Sequence, residues 1–151
     1  DGTGAAVRFR VPVGLAAVDG ALFVADYESH TIRRIEIASG ATTTLLGTDG
    51  LAGAVGGPGD FAALSLPSGL AVSTDGTLLY VAEEGGHVLR EVTIADGTSR
   101  LLVGDGVSSG GLPTGVAVPI ADATLLEPQD VAVAGDDLVV VSDSAVWLVR
   151  P

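Results

Sequence analysis

Leu22–Arg34, LFVADYESHTIRR, decides how this chain is read. It runs as an apolar strand, a polar turn and a second strand opening on a His. A close copy stands at Leu79–Glu91, LYVAEEGGHVLRE, and a shortened one at Val139–Val149, VVVSDSAVWLV. Three copies of one segment indicate a repeat architecture, in which each unit buries its apolar face against the next.

Outward from these copies, each unit resolves into short strands. Val13–Val18 is apolar, Asp19-Gly20 is a two-residue hairpin signal, and Ala21–Ala25 is rich in strand formers. Thr31–Ile37 and Thr42–Leu46 complete a set of four before Gly47. The second unit repeats the set at Gly69–Ser73, Leu78–Ala82, His87–Ile94 and Ser99–Val103. The third has Val131–Ala134, Leu138–Ser142 and Ala145–Arg150, and lacks a fourth strand. Pro12, Pro67 and Pro128 precede the first strands, so the units cover 11–47, 66–104 and 127–151. Long Gly-rich connections join them. The reading is all-β, with 11 strands in sets of four antiparallel strands, the arrangement of β-propeller blades. No segment has the helical period that alternating βα units require, and the strands of a β-sandwich would not recur in sets of four.

Composition narrows the function classes. Aromatics are only 4% of 151 residues, so Val, Leu, Ile and Ala must fill the core. The 22 glycines suit many tight turns. Lys is absent, and seven Arg face 19 acids for a net charge of −12, which repels phosphate backbones and anionic membranes. Without Cys there are no disulfides, thiolate nucleophiles or thiolate metal sites. Without Asn there is no N-glycosylation acceptor. The absence of Met leads us to expect a processed or excised piece, and Arg without Lys suits a GC-rich prokaryotic genome. No apolar run approaches the length of a spanning helix and no signal peptide is evident, so a soluble chain is expected, with cytoplasmic and exported locations undistinguished.

The pattern P-x-G-L-A, a turn, then L-[FY]-V-A-[DE], three residues and H-x-[IL]-R resembles the NHL repeat. Here it is Pro12–Ala16 with Leu22–Arg33, and Pro67–Ala71 with Leu79–Arg90. The lead-in Asp1–Phe9 is similar to the connections of bacterial multi-repeat NHL proteins. The third copy is partial, with Pro128-Gln129-Asp130-Val131-Ala132 in place of the usual Gly-Leu. The resemblance implies a β-propeller, commonly of six blades, acting mostly as a platform for ligands or partners. Three blades would be half of such a ring.

Several residues invite a chemical reading. His30 and His87 recur at one position, which invites a metal-ligand reading. Because they fall in different units, a structural role is expected, with Asp26 and Glu83 pairing with these His or with Arg33 and Arg90 inside each hairpin. The strands lining a central channel offer Ser68, Ser73, Gln129 and Asp130 as polar candidates. Asp49, Asp60, Asp105, Asp122 and Asp136-Asp137 do not fit the alternating acidic pattern of a calcium loop, and Asp in Gly-rich loops is ordinary turn chemistry. Val107–Gly111 has no Gly-Lys-Ser/Thr, and Ser65, Ser68 and Ser73 have no nucleophile-elbow motif. Trp147 is expected to fill core between units.

Three functions compete. A non-catalytic binding or scaffold propeller for protein or small-ligand interaction is the first, with no catalytic residues, metal or cofactor expected. A metal-dependent lyase or lactonase on the same fold is the second, and a nucleic-acid-binding NHL domain the third, opposed by the charge. A homodimer closing a six-bladed ring is the expected partner arrangement, with the remaining blades of a longer chain as the other way of covering the open faces.

Overall fold

The hairpin signal at Asp19-Gly20 forms a tight turn with φ of 42° and 80°, the left-handed pair that matches strand twist. It joins β2 (Pro12–Val18) to β3 (Ala21–Asp26) in a computed structural model that describes residues 1–53, 57–59, 62–104, 106, 125–143 and 145–151. β1 (Gly2–Thr3), β4 (Thr31–Glu36) and β5 (Ala41–Leu46) complete the first sheet, in the order β1-β5-β4-β3-β2. The second sheet is built alike from β6 (Gly57–Pro58), β7 (Pro67–Val72), β8 (Leu78–Glu83), β9 (Val88–Thr93) and β10 (Thr98–Val103). Its order is β6-β10-β9-β8-β7. The third sheet has β11 (Asp130–Ala134), β12 (Asp137–Ser142) and β13 (Ala145–Val149). All pairings between strands within these sheets are antiparallel.

The described residues thus hold 13 strands where the sequence pattern predicts 11. The two extra strands, β1 and β6, come from Gly-rich lead-ins that sequence periodicity reads as connection. Each places two residues on the outer edge of its sheet, Gly2 opposite Thr42 and Pro58 opposite Thr98, so that backbone groups of that edge find partners.

Packing follows from alternation along the strands. Phe23 and Ala25 of β3, with Ile32 and Leu46, meet Leu70, Leu79, Val81 and Val92 of the second sheet. Tyr80 and Ala82, the other face of β8, join Leu89 against Val131, Leu138, Val140 and Val149 of the third sheet. The middle sheet is therefore covered on both faces, which is why LLYVA carries no polar alternation. The first and third sheets are each covered on one. Their other faces leave Val13 and Leu15, and Val141, Val146 and Leu148, exposed. Trp147 packs against the second core while its indole N–H donates to Ser142 Oγ at 3.0 Å.

The innermost strands β2, β7 and β11 lie against one another in sequence order. Gly14 and Gly69 permit this. A Cβ on Gly14 would stand 1.9 Å from the Ser68 carbonyl oxygen, and one on Gly69 would stand 2.4 Å from Asp130 Cα. Among the described residues no helix is long and apolar enough to cross a membrane.

Candidate functional site

The recurrent acid, Arg and His form the chemistry-bearing part of each repeat. In the second sheet, Glu83 closes β8 and Arg90 stands diagonally across on β9, two residues beyond Glu83's ladder partner Val88, both fully buried. Arg90 Nε donates to Glu83 Oε1, Nη1 donates to Ser99 Oγ at 3.2 Å, and Nη2 donates to the Ala63 carbonyl at 3.1 Å. Glu83 Oε2 accepts the Ser65 N–H at 2.9 Å. One ion pair thereby ties β8, β9 and β10 to the segment that leads into β7. Burial pushes the Glu83 carboxyl above its ordinary range, and Arg90 and the Ser65 N–H pull against that rise.

The first sheet has the same residues in a different arrangement. Asp26 Oδ1 accepts the backbone N–H of Arg10 at 2.8 Å and of Val11 at 2.9 Å. Arg33 donates to the Arg8 carbonyl at 3.3 Å, as Arg90 does to Ala63, and its other terminal nitrogen donates to Asp1 Oδ1 at 2.9 Å. Thr44 Oγ1 donates to the same Asp1 oxygen at 3.0 Å. The Arg33 guanidinium carbon stands 5.4 Å from the Phe9 ring centroid, within cation–π range. Arg33 Nε, Asp26 Oδ2 and Thr31 Oγ1 are buried without a hydrogen-bond partner. An acid–Arg hydrogen bond inside the hairpin is therefore present at Glu83–Arg90, and Asp26 and Arg33 each bind other groups.

Among the described residues neither His hydrogen-bonds the acid of its own hairpin. His30 Nδ1 accepts the Leu66 N–H at 3.1 Å, and His87 Nδ1 accepts the Glu127 N–H at 3.1 Å. Each His reaches from one unit to the residue preceding the next unit's Pro. Both ends of each contact adopt left-handed backbone, at φ 57° and 50° for the first pair and 54° and 46° for the second. Such geometry is costly for residues with a Cβ and persists where surrounding structure over-determines it. Gly47 and Gly104 make room beside it, since a Cβ on either would come within 2.3 Å of the carbonyl oxygen of His30 or His87.

Of the residues expected along a channel, Ser68, Gln129 and Asp130 come together. They line a cleft of about 400 Å³ with Val13, Gly14, Leu15, Gly69 and Leu70. Ser68 is buried, and its hydroxyl has the carbonyls of Ala82 and Pro128 within hydrogen-bond distance, at 3.2 and 3.1 Å, as acceptors for its one proton. Asp130 Oδ1 accepts the Val131 N–H. Ser73 lies elsewhere, in the β7–β8 turn, where it donates to Asp75 and accepts the Leu78 N–H. Asp49 pairs with Arg10 at 3.4 Å and Asp137 with Arg150 at 3.0 Å. Asp60, Asp105, Asp122 and Val107–Gly111 lie outside the described residues. Among the described residues no group of three or more His, Asp or Glu is placed to hold a metal ion.

A second cleft, of about 390 Å³, was not foreseen from sequence. Arg8, Arg10 and Arg33 line it together with the acids Asp1 and Asp49, and with Phe9, Thr31 and Thr44. The available signal was the clustering of Arg8 and Arg10 in an otherwise acidic chain, in a segment that periodicity reads as connection.

Residues 9–35 match the NHL repeat model. Over 98 residues the chain is 36% identical to Suppressor of Quenching 1, chloroplastic, from Arabidopsis thaliana, covering 64% of this chain and 9% of that protein. It is 30% identical over 92 residues to NHL repeat-containing protein 2 from Bos taurus, covering 60% of this chain and 13% of the relative. The chain thus spans only a small part of these relatives' length. Two solved structures share its fold. A Bacteroides thetaiotaomicron protein of unknown function superposes with a TM-score of 0.70 at 21% identity, over 83% of this chain and 31% of that one. An auxiliary nutrient binding protein from the same organism gives 0.66 at 15%, over 80% and 32%. Residues 9–35 thus match the NHL repeat, and the chain shares the all-β fold of these two structures.

Proposed function

We propose that this chain is a non-catalytic binding or scaffold segment of a β-propeller. The His contacts carry this reading. The side chains most able to do acid–base or metal chemistry, His30 and His87, each present Nδ1 to a backbone N–H of the following unit. Glu83 and Arg90 are likewise engaged with each other and with the chain that precedes β7. Repeated use of these groups as struts supports a rigid platform, and the nutrient-binding protein of similar fold is in keeping with a platform that binds. Ester, lactone and elimination substrates, offered with and without divalent metal, are expected to show no turnover above background. A ligand that binds the native state raises Tm in proportion to its concentration over Kd. Turnover abolished by His30→Ala in a protein that remains folded would overturn the reading.

The open faces of the first and third sheets support a second element of the proposal. A propeller sheet is buried on both faces, whereas Leu15 is 64% exposed and Val146 69%. A second copy, related by a two-fold axis, would set each third sheet on the other copy's first sheet and cover all four faces, closing a six-bladed ring. Light scattering is expected to give twice the chain mass of 14.9 kDa. A stable species at the chain mass itself would reject the dimer and leave further blades of a longer polypeptide as the cover.

A further inference from the structure

We propose that the cleft lined by Arg8, Arg10 and Arg33 is a binding site for a carboxylate-bearing ligand. The inference deepens the binding reading and rests on it. Three of the seven cations of a chain with net charge −12 line this one cleft. Arg33 is 7% exposed and Thr31 2%, and each keeps a buried polar atom, Nε and Oγ1, without a hydrogen-bond partner. Leaving such groups buried and unpaired costs free energy, so the wall of the cleft beside Arg33 and Thr31 is unsatisfied as it stands.

The charge balance of the cleft favours an added anion. Arg8 Nη1 donates to the carbonyls of Ala5 at 2.6 Å and Val7 at 2.8 Å, and among the described residues no carboxylate pairs with its guanidinium. Arg10 meets Asp49 only at 3.4 Å, with both side chains more than half exposed. Asp1 shows which anion fits. Its carboxylate bridges Arg33 Nη2 and Thr44 Oγ1, at 2.9 and 3.0 Å, as a ligand carboxylate would. The planar guanidinium fork matches a carboxylate, and the wider acidic surface disfavours the higher charge of a phosphate polymer. The corresponding place in the second sheet is closed, because Glu83 and Ser99 occupy the guanidinium of Arg90.

The seven Arg Nε–Hε groups provide a direct readout by NMR. Titration with succinate at constant ionic strength is expected to move the signals of Arg8, Arg10 and Arg33 saturably and to leave those of Arg90, Arg100 and Arg150 in place. The double variant R8A/R10A removes two exposed side chains, so an unchanged Arg90 signal certifies the fold. Its affinity for succinate is expected to fall at least about tenfold. A peptide carrying paired aspartates forms the second arm: binding of either probe supports the site and tells a free acid from an acidic chain. Three results would overturn it. These are linear shifts shared equally by the exposed Arg100 and Arg150, binding unaltered in R8A/R10A, or no binding of either probe. None of them touches the platform reading, which the turnover assays judge separately.

Discussion

The first and second sheets use the same acid and Arg, and one methylene separates their outcomes. In the second, Glu83 is long enough to take Arg90 Nε with one oxygen and the Ser65 N–H with the other. In the first, Asp26 is committed through one oxygen to two backbone N–H groups, and Arg33 Nε is left unpaired. The closed pair makes a strut, and the open one borders a cleft. A repeat can thus preserve a residue type at a position while converting its use from cohesion to exposure of donors.

Removing one partner of the closed pair should have the largest effect. Glu83→Ala strands a buried guanidinium and is expected to cost about 3–5 kcal/mol. Asp26→Ala, which breaks backbone contacts and no ion pair, should cost about 1–3 kcal/mol. Urea denaturation of the two variants measures the gap, and equal losses would mean the two acids are equivalent after all.

The His contacts should come next, and unequally. The Leu66 N–H that His30 receives is partly buried, whereas the Glu127 N–H facing His87 is exposed to water. His30→Ala is expected to cost about 2 kcal/mol, because the Leu66 N–H is stranded where water reaches it less. His87→Ala should cost about 1 kcal/mol, since water replaces the lost acceptor. Thermal melts that rank the variants in the opposite order would break this account.

Lengthening the acid of the first sheet sharpens the comparison from the other side. Asp26→Glu is expected to reach Arg33 Nε and stabilise the chain by about 1 kcal/mol, while weakening succinate binding. Unfolding at a lower denaturant concentration than the parent would show that the first sheet has no room for the strut.

The smallest effect concerns the turns. Asp75 accepts from the Ser73 hydroxyl and from the Thr77 N–H and hydroxyl, which hold its carboxyl below the ordinary range. The Thr98 N–H does the same for Asp96. A depressed folded value means stability present above the unfolded value of about 3.9 and lost as pH falls through the folded one. Carbon NMR titration should find both midpoints below the unfolded value of about 3.9. Midpoints at that value would remove the turn contribution.

The repeat itself was legible because it is local: Asp19-Gly20, the LFVAD and LYVAE runs and the recurring Pro each act within a few residues. The candidate site was only half legible. Asp26, Glu83, Arg33 and Arg90 could be singled out from their recurrence, yet the His were expected inside their own hairpins and are found joining units. Periodicity carries no information about which backbone N–H a side chain will reach 36 or 40 residues away. Phe9, Leu64 and Leu125 show the same limit. They stand at matching places before Pro12, Pro67 and Pro128, but Leu64 and Leu125 are buried between sheets and Phe9 is only half-buried.

By itself, then, the sequence determined that the chain is all-β, repeats a hairpin-based unit and is strongly acidic. Strand alternation, turn chemistry and net charge are properties of neighbouring residues or of their sum. Only the tertiary structure decided that Gly2–Thr3 and Gly57–Pro58 would be strands, and that Glu83 would close on its Arg while Asp26 would not. Only it gathered Arg8, Arg10 and Arg33 around one cleft. Those outcomes depend on distances between segments that meet through the packing of one sheet on the next, where a single methylene determines whether two charged groups touch.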